Sequence, residues 1–459
     1  MLTTPAAPAS ADTEEHWDRA RETMAPGDRD GIVLERVKHQ LERAYATIPF
    51  YRSLYDRHGF RPDQVQTLAD FTARVPVVTK KMLVADQVEY PPFGSYLGVD
   101  RKDLARVHGS SGTSGVPTLY GISRSDWRQT REMCRMALWS AGVRPDDLVQ
   151  ISFPFGLFLG GWGLLQACEL LGACAFPVGS LMPTDQQLQH LLKLRIDALV
   201  ATPSYALHLG RRAAELGLDL SGSALRTIIV AGEPGGSIPE IRQAMSSALG
   251  GARVIDLGAG ASSEMHPFYA NVGCRHAEGG VHLYQDENYT EIVDRDDPNI
   301  AVPVGGRGGV VATHLWRESQ PMIRFWLGDE AHMSDEPCPC GRTYPRLPLG
   351  VYGRLDDMLL IRGANVYPST IDAVIRDHPA TGAEYRIVVE RRGDLDELIV
   401  ELERTPEQSD ADAASMASEL EASLREATMV RTNVRLAPHG TFEPQVFKAR
   451  RVIDRRREV

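Results

Sequence analysis

"LRTIIVAGEPGG", residues 225–236, and "ARVIDLGAGASSE", residues 252–264, each set a short apolar run rich in Ile and Val against a Gly-rich turn. Such runs fit strands buried on both faces, as in a parallel sheet. The chain before them alternates in the same way. "DWRQTREMCRMALWSAG" (126–142) is helical, "DLVQISFPF" (147–155) extended, "GGWGLLQACELLGA" (160–173) helical, "CAFPVG" (174–179) extended, "QQLQHLLKLRI" (186–196) helical and "DALVATP" (197–203) extended. This rhythm predicts an α/β fold with helices on the faces of a parallel sheet and ligands bound beyond the carboxyl ends of its strands.

On either side the texture differs. Residues 31 to about 97 show helical spacing of apolar residues, and residues 1–30 read as a disordered leader. From Tyr284 the short runs "YTEIVD", "GGVVATHL" and "PMIRFWLGDEAHM" predict antiparallel strands in a β-rich subdomain, closing a large domain over 31–352. Residues 353–459 read as a small α+β domain, with the polar turn at 353–357 as the hinge.

With 459 residues and a formal net charge of −11, the chain does not have the concentrated positive charge of a nucleic-acid binder. No run of eighteen apolar residues predicts a membrane span, and six cysteines in a chain this long suggest no disulfide framework. The expected setting is the cytoplasm.

The chemistry is foreshadowed by "HGSSGTSGVPTLYG", residues 108–121, where glycines, serines and threonines crowd one loop. Gly lets the backbone approach an anion, and Ser and Thr add donors, so the stretch suits a phosphate cradle as well as an ordinary surface loop. A separate set comprises Cys274, His276 and His282 in "CRHAEGGVH" and Cys338 and Cys340 in "CPCG". Three thiols and an imidazole form a donor set of the kind that holds structural zinc. Cys134, Cys168 and Cys174 lie in apolar surroundings and read as core.

Taken in order, "GLFLGGWG", "TPSYAL", "CGRTYPRL", "GRLDDMLLIRGANVYPSTID" and "KARRVID" resemble segments of the phenylacetate-CoA ligases, a family of adenylate-forming enzymes, from about Leu41 to Arg456. The resemblance implies a large adenylation domain with a small mobile C-terminal domain. It implies activation of an aryl or arylacetic acid by ATP, with Mg²⁺, and transfer of the acyl group to coenzyme A. Ser110, Ser111, Gly112, Thr113, Ser114 and Gly115 match the loop that holds the departing phosphates. Ala231, Gly232, Glu233 and Pro234 match the adenine pocket, Ser263 and Glu264 the metal-binding segment, and Asp329 and Arg354 the ribose and phosphate contacts. Asp356 matches the hinge and Lys448 the catalytic lysine. Read without the resemblance, Glu264 is a capping carboxylate after Ser262 and Lys448 one more cation in a basic tail.

Tyr205, Phe155, Phe158, Leu159 and Trp162, with Gly160, Gly161 and Gly163, match the acid pocket, an aromatic slot suited to a ring. The resemblance also favours His282 over His276 as the fourth zinc ligand beside Cys274, Cys338 and Cys340. Two positions depart from the pattern. Gly260 stands where an adenine-stacking aromatic is usual, and Phe447 where a Gly usually precedes the lysine. They leave open the same adenylation chemistry with another acceptor, namely a carrier-protein thiol, an amine, or nitrite activated for an arylamine. A homodimer is also compatible with the resemblance.

Overall fold

The structure is a computed structural model that describes residues 15–109, 118–258, 262–265, 271–355, 357–361, 364–378, 381–392, 395–405, 410–428, 430–443 and 451–456. At its centre is a five-stranded sheet in the order Cys174–Phe176, Leu148–Ile151, Ala198–Ala201, Thr227–Val230, Arg253–Asp256, with every neighbouring pair parallel. Because successive strand residues point to opposite faces, each strand feeds two cores. Val149, Ile151, Val200, Ile229 and Ile255 pack in one core against the helix Leu159–Leu171. Leu199, Ala201, Ile228, Val230 and Val254 pack in the other against Pro203–Glu215 and Pro239–Ala248. Burial on both sides explains why these strands read as unbroken apolar runs.

The helices that follow the strands start on local signals. Thr202 caps Pro203–Glu215 by accepting the Tyr205 N–H at 3.2 Å, and Pro203 occupies the first turn, where no N–H is required. Both signals come directly after the strand Ala198–Ala201, so the turn at its carboxyl end is short and defined.

The β-rich region is an antiparallel sheet in the order Gly353–Arg354, Phe325–His332, Arg307–His314, Asn288–Val293. Its core is shared with the helical lead-in: Val33, Val37, Leu41 and Tyr51 pack with Val310, Ile323, Phe325 and Leu327. Backbone pairing reinforces this, since the Val78 N–H donates to the Arg324 carbonyl and the Trp326 N–H to the Val78 carbonyl, both at 2.9 Å. In the small domain the strand order is Thr432–Ala437, Leu395–Arg404, Thr381–Arg392, Val452–Asp454. The helix Pro368–Asp377 contributes Ile371 and Ile375 to its core, and Asp410–Thr428 contributes Met416, Leu420 and Leu424.

Three sequence expectations need correction. Of the expected disordered leader 1–30, residues 1–14 lie outside the described residues and residues 15–30 are folded. Trp17 packs edge-on to Trp139 at 5.4 Å, and fully buried Arg342 pairs with Glu22 at 2.6 Å and Glu15 at 3.0 Å. A charged, Pro-containing stretch looks unfoldable by itself, because its partners lie hundreds of residues away. Cys174 is exposed, unlike Cys134 and Cys168, because it opens an edge strand of the central sheet. Finally, Gly353 and Arg354 belong by pairing to the large domain, and the Leu355 N–H donates to the Gly328 carbonyl at 2.6 Å. The expected boundary at 353 thus falls in a strand paired with the β-rich sheet.

Glu22→Ala leaves buried Arg342 with Glu15 alone, a loss on the order of 3 kcal/mol for a buried pair. A thermal midpoint lowered by several degrees is expected; an unchanged melt would show that the amino-terminal segment contributes no stability.

Candidate active site

The turns at the carboxyl ends of the parallel strands are tied to one another. Glu233, in the turn after Thr227–Val230, accepts the Ser204 N–H at 2.6 Å, joining the "AGEP" turn to the start of the neighbouring helix. Burial pushes the Glu233 carboxyl up, against the pull of this hydrogen bond. Gly232 has φ +94, a conformation that glycine adopts without the Cβ penalty. Ala231, Gly232, Glu233 and Pro234 thus form one defined turn beside Thr202 and Ser204.

Glu264 is almost wholly buried yet charged. Lys80 Nζ lies 3.1 Å from its Oε1, and the Tyr120 hydroxyl donates to the same oxygen at 2.8 Å. Burial opposes ionisation, but the Lys80 charge and the Tyr120 hydroxyl outweigh it and hold the carboxyl below its ordinary range. Arg317 Nη1 donates to the Glu264 carbonyl at 3.1 Å, fixing the backbone. The residues that follow, 266–270, lie outside the described residues, so the capping alternative stays open; Ser263 is half-buried beside Glu264. Lys80 was not singled out in the sequence. Its signal was Thr79, the N-cap of the helix Lys80–Glu89, which places a lysine at the first helical position.

Asp329 and Arg354 face each other across two antiparallel strands, with Arg354 Nη1 3.7 Å from Asp329 Oδ1. The register of Phe325–His332 against Arg307–His314 shifts between Gly309 and Val311, and Gly328 has φ +76. This irregularity just before Asp329 redirects the strand there. Arg354 Nη1 also donates to the Leu327 carbonyl at 3.2 Å.

The aromatic set divides between two layers. Phe155, Phe158 and Trp162 pack against the core that holds Leu159 and Leu164, whereas Tyr205 belongs to the core on the other face of the sheet. Phe155 meets Trp162 edge-on at 5.2 Å, and a Cβ at Gly161 would lie 3.1 Å from the Phe155 ring. Gly160 and Gly161 are buried in the first turn of the helix Leu159–Leu171. Tyr205 stacks with His208 at 5.8 Å, and Thr184 Oγ1 lies 3.2 Å from His208 Nε2.

The strands Leu104–Gly109 and Leu119–Ser123 pair antiparallel on either side of the Gly/Ser loop, with Gly109 opposite Leu119. His108 Nδ1 lies 3.0 Å from the Leu157 carbonyl, and the Gly109 N–H donates to that carbonyl at 3.1 Å. The base of the loop is thereby fixed to the Phe155–Phe158 segment. Burial pushes the His108 pKa down to about 4, so the imidazole is neutral at pH 7. Ser110, Ser111, Gly112, Thr113, Ser114 and Gly115, together with Gly260, Asp356, Phe447 and Lys448, lie outside the described residues.

Cys274, His282, Cys338 and Cys340 converge, with all four ligand atoms within 4.8 Å of one another and all four residues buried. Cys274 Sγ and Cys338 Sγ are 3.6 Å apart, and Cys340 Sγ is 3.4 Å from His282 Nε2. Ligands about 2.3 Å and 2.0 Å from a tetrahedral zinc would be separated by about 3.8 Å and 3.5 Å. His276 instead points to Glu15, 2.8 Å away. The neighbouring thiols and His282 hold Cys340 below the usual thiol range, while hydrogen bonds to Cys338 and Cys340 push Cys274 up. A divalent cation would stabilise all three as thiolates.

Residues 363–456 match the AMP-binding enzyme C-terminal domain family. The chain is 35% identical over 382 residues to a phenylacetate-coenzyme A ligase of Thermus thermophilus, covering 83% of each chain. It is 32% identical to one of Aromatoleum evansii over 95% of this chain and 98% of that one. Among solved structures, a 2-hydroxyisobutyryl-CoA ligase in its postadenylation state superposes with a TM-score of 0.94 at 38% identity, covering 100% of this chain and 95% of the other. The same ligase in its thioester-forming state gives 0.75 at 39% identity, covering 99% and 94%.

Substituting Lys80 by Met removes the cation beside a buried carboxylate and leaves the Tyr120 hydroxyl to oppose burial, so the folded Glu264 pKa rises relative to that of the parent chain. A raised folded pKa costs stability above the unfolded value, about 4.3, and the cost fades as pH falls towards it. The melting temperature of Lys80→Met should therefore trail that of the parent chain more at pH 7 than at pH 4.5. A gap independent of pH would mean that Lys80 does not compensate Glu264.

Proposed function

The chain belongs to the phenylacetate-coenzyme A ligase family of AMP-forming acid–thiol ligases, and on that premise we propose that it activates an aryl or arylacetic acid with ATP and passes the acyl group to coenzyme A. The observation that carries the reading is the buried, ionised Glu264, held by Lys80 and Tyr120 in the segment expected to bind the metal. Such a carboxylate suits a hard cation, and Mg²⁺ held there would supply charge neutralisation for the phosphates. The acid's carboxylate attacks the α-phosphorus and pyrophosphate leaves; the thiolate of coenzyme A then attacks the acyl carbon and AMP leaves. Donors from Ser110 to Gly115 would stabilise charge on the departing pyrophosphate. Asp329 and Arg354 would hold the ribose, Glu233 and its turn would border the adenine, and Asp356 would serve as the hinge between the two steps.

Phe155, braced by Gly161 and Trp162, offers a flat wall for a ring. A second reading takes a small hydroxylated acid, favoured by the polar trio of Thr184, Tyr205 and His208 and by the name of the structural relative at 38% identity. Pyrophosphate release measured over arylacetic, aryl and 2-hydroxy acids and nitrite, each with and without coenzyme A, tests both. Release with phenylacetate-type acids that ends in a thioester supports the first. Release confined to 2-hydroxyisobutyrate supports the second, and thioester-free release with nitrite would replace both acids.

Lys448→Ala should abolish acid-dependent ATP–pyrophosphate exchange while sparing thioester formation from a supplied acyl-adenylate. Equal loss of both half-reactions would remove the lysine from the adenylation step.

We assign Cys274, His282, Cys338 and Cys340 to one structural zinc ion. Elemental analysis of protein purified without added metal should give about one zinc per chain, lost in His282→Ala and retained in His276→Ala. Retention in His282→Ala would refute the ligand set.

A further inference from the structure

The small domain touches the large one through a charge cluster that the chemistry above does not use. Glu384, buried in the strand Thr381–Arg392, accepts from Arg211 Nη2 at 3.1 Å through one carboxylate oxygen and from Arg451 Nη1 at 3.0 Å through the other. Arg211 lies on the large-domain helix Pro203–Glu215, whose first turn carries Ser204 and Tyr205. Arg451 is fixed further: its guanidinium sits 4.2 Å over the Tyr385 ring, and its carbonyl accepts the Ile387 N–H at 2.7 Å. The strand Val452–Asp454 follows at once, paired parallel with Ile387, Val388 and Val389.

From Tyr205 to Arg211 the helix rises about 9 Å, so one rigid element links the turn at the acid pocket to the cluster. Beside it the helices Pro239–Ala248 and Pro368–Asp377 pack across the same boundary. This arrangement of domains corresponds to the postadenylation state of the relative and differs from its thioester-forming state.

We propose that Arg211 and Glu384 form a positioning latch: Glu384, gripped by Arg211 from the large domain and Arg451 from the small one, holds the two domains in the arrangement used for adenylation. Its Arg211 bond opens when the small domain turns for thioester formation. Arg211 thus sets how the enzyme divides its time between the two arrangements. The proposal rests on the reading of Lys448 as the lysine of the first step.

Arg211→Met tests it in the full-length enzyme. ATP–pyrophosphate exchange should fall about tenfold, while thioester formation from supplied acyl-adenylate stays at or above the parent rate. Arg211→Lys, which keeps the charge, should restore most of the exchange. Hydrogen–deuterium exchange supplies a readout that does not depend on Lys448: amides of Pro239–Ala248 and Pro368–Asp377 should exchange faster in Arg211→Met than in the parent, at an unchanged melting temperature. If both half-reactions keep the parent rates or fall by the same factor, if Arg211→Lys fails to rescue, or if the two helices keep their protection, the latch is overturned. Should Lys448→Ala weaken both half-reactions alike, the lysine's role fails, and the protection of the two helices still decides whether the latch exists.

Discussion

A carboxylate cannot stay ionised in a protein interior unless charge and donors are brought to it, and much of this architecture serves that requirement at Glu264. Lys80 comes from the helical lead-in, Tyr120 from the hairpin that flanks the Gly/Ser loop, and Arg317 from the β-rich region. Three regions remote in sequence therefore meet at one residue. The lead-in helices are attached through a common core and through Val78, which pairs with the strand Phe325–His332. A loosely attached lead-in would leave Glu264 buried without its cation, so the packing of the lead-in helices governs the charge at Glu264.

The parts of the fold that could be read from sequence are those in which local pattern and tertiary setting agree. The strands Thr227–Val230 and Arg253–Asp256 are apolar because both faces are covered, and the Gly-rich sequences after them fall at the sheet edge where open α/β sheets generally bind ligands. The Cys/His set was legible for a different reason: few roles call for three thiols and an imidazole, and the geometry then separates His282 from His276. Resemblance to a family placed Glu264, Asp329 and Arg354, and the structure adds what each one touches.

What stayed hidden depends on distance along the chain. Nothing near Lys80 announces that it will face a glutamate 184 residues later, and Glu22 gives no sign of Arg342. The aromatic residues expected to line the acid pocket mislead in another way. Phe155 and Tyr205 follow adjacent parallel strands and so appear equivalent, yet their helices lie on opposite faces of the sheet. Periodicity reveals that a residue is buried but does not identify the layer that receives it.

The pairing of Arg342 with Glu22 also has a consequence for synthesis of the chain. The two residues are 320 positions apart, and Glu22 is made first. At about 5–20 residues per second, the ribosome needs roughly 15–60 s to deliver the arginine. Cys338 and Cys340 emerge in the same interval, more than sixty residues after Cys274. Glu15 can meet Arg275 and His276 earlier, but Glu22 waits without its arginine until the turn bearing Cys338 and Cys340 has left the exit tunnel. Burial of the Glu22–Arg342 pair is therefore a late event in the synthesis of the large domain.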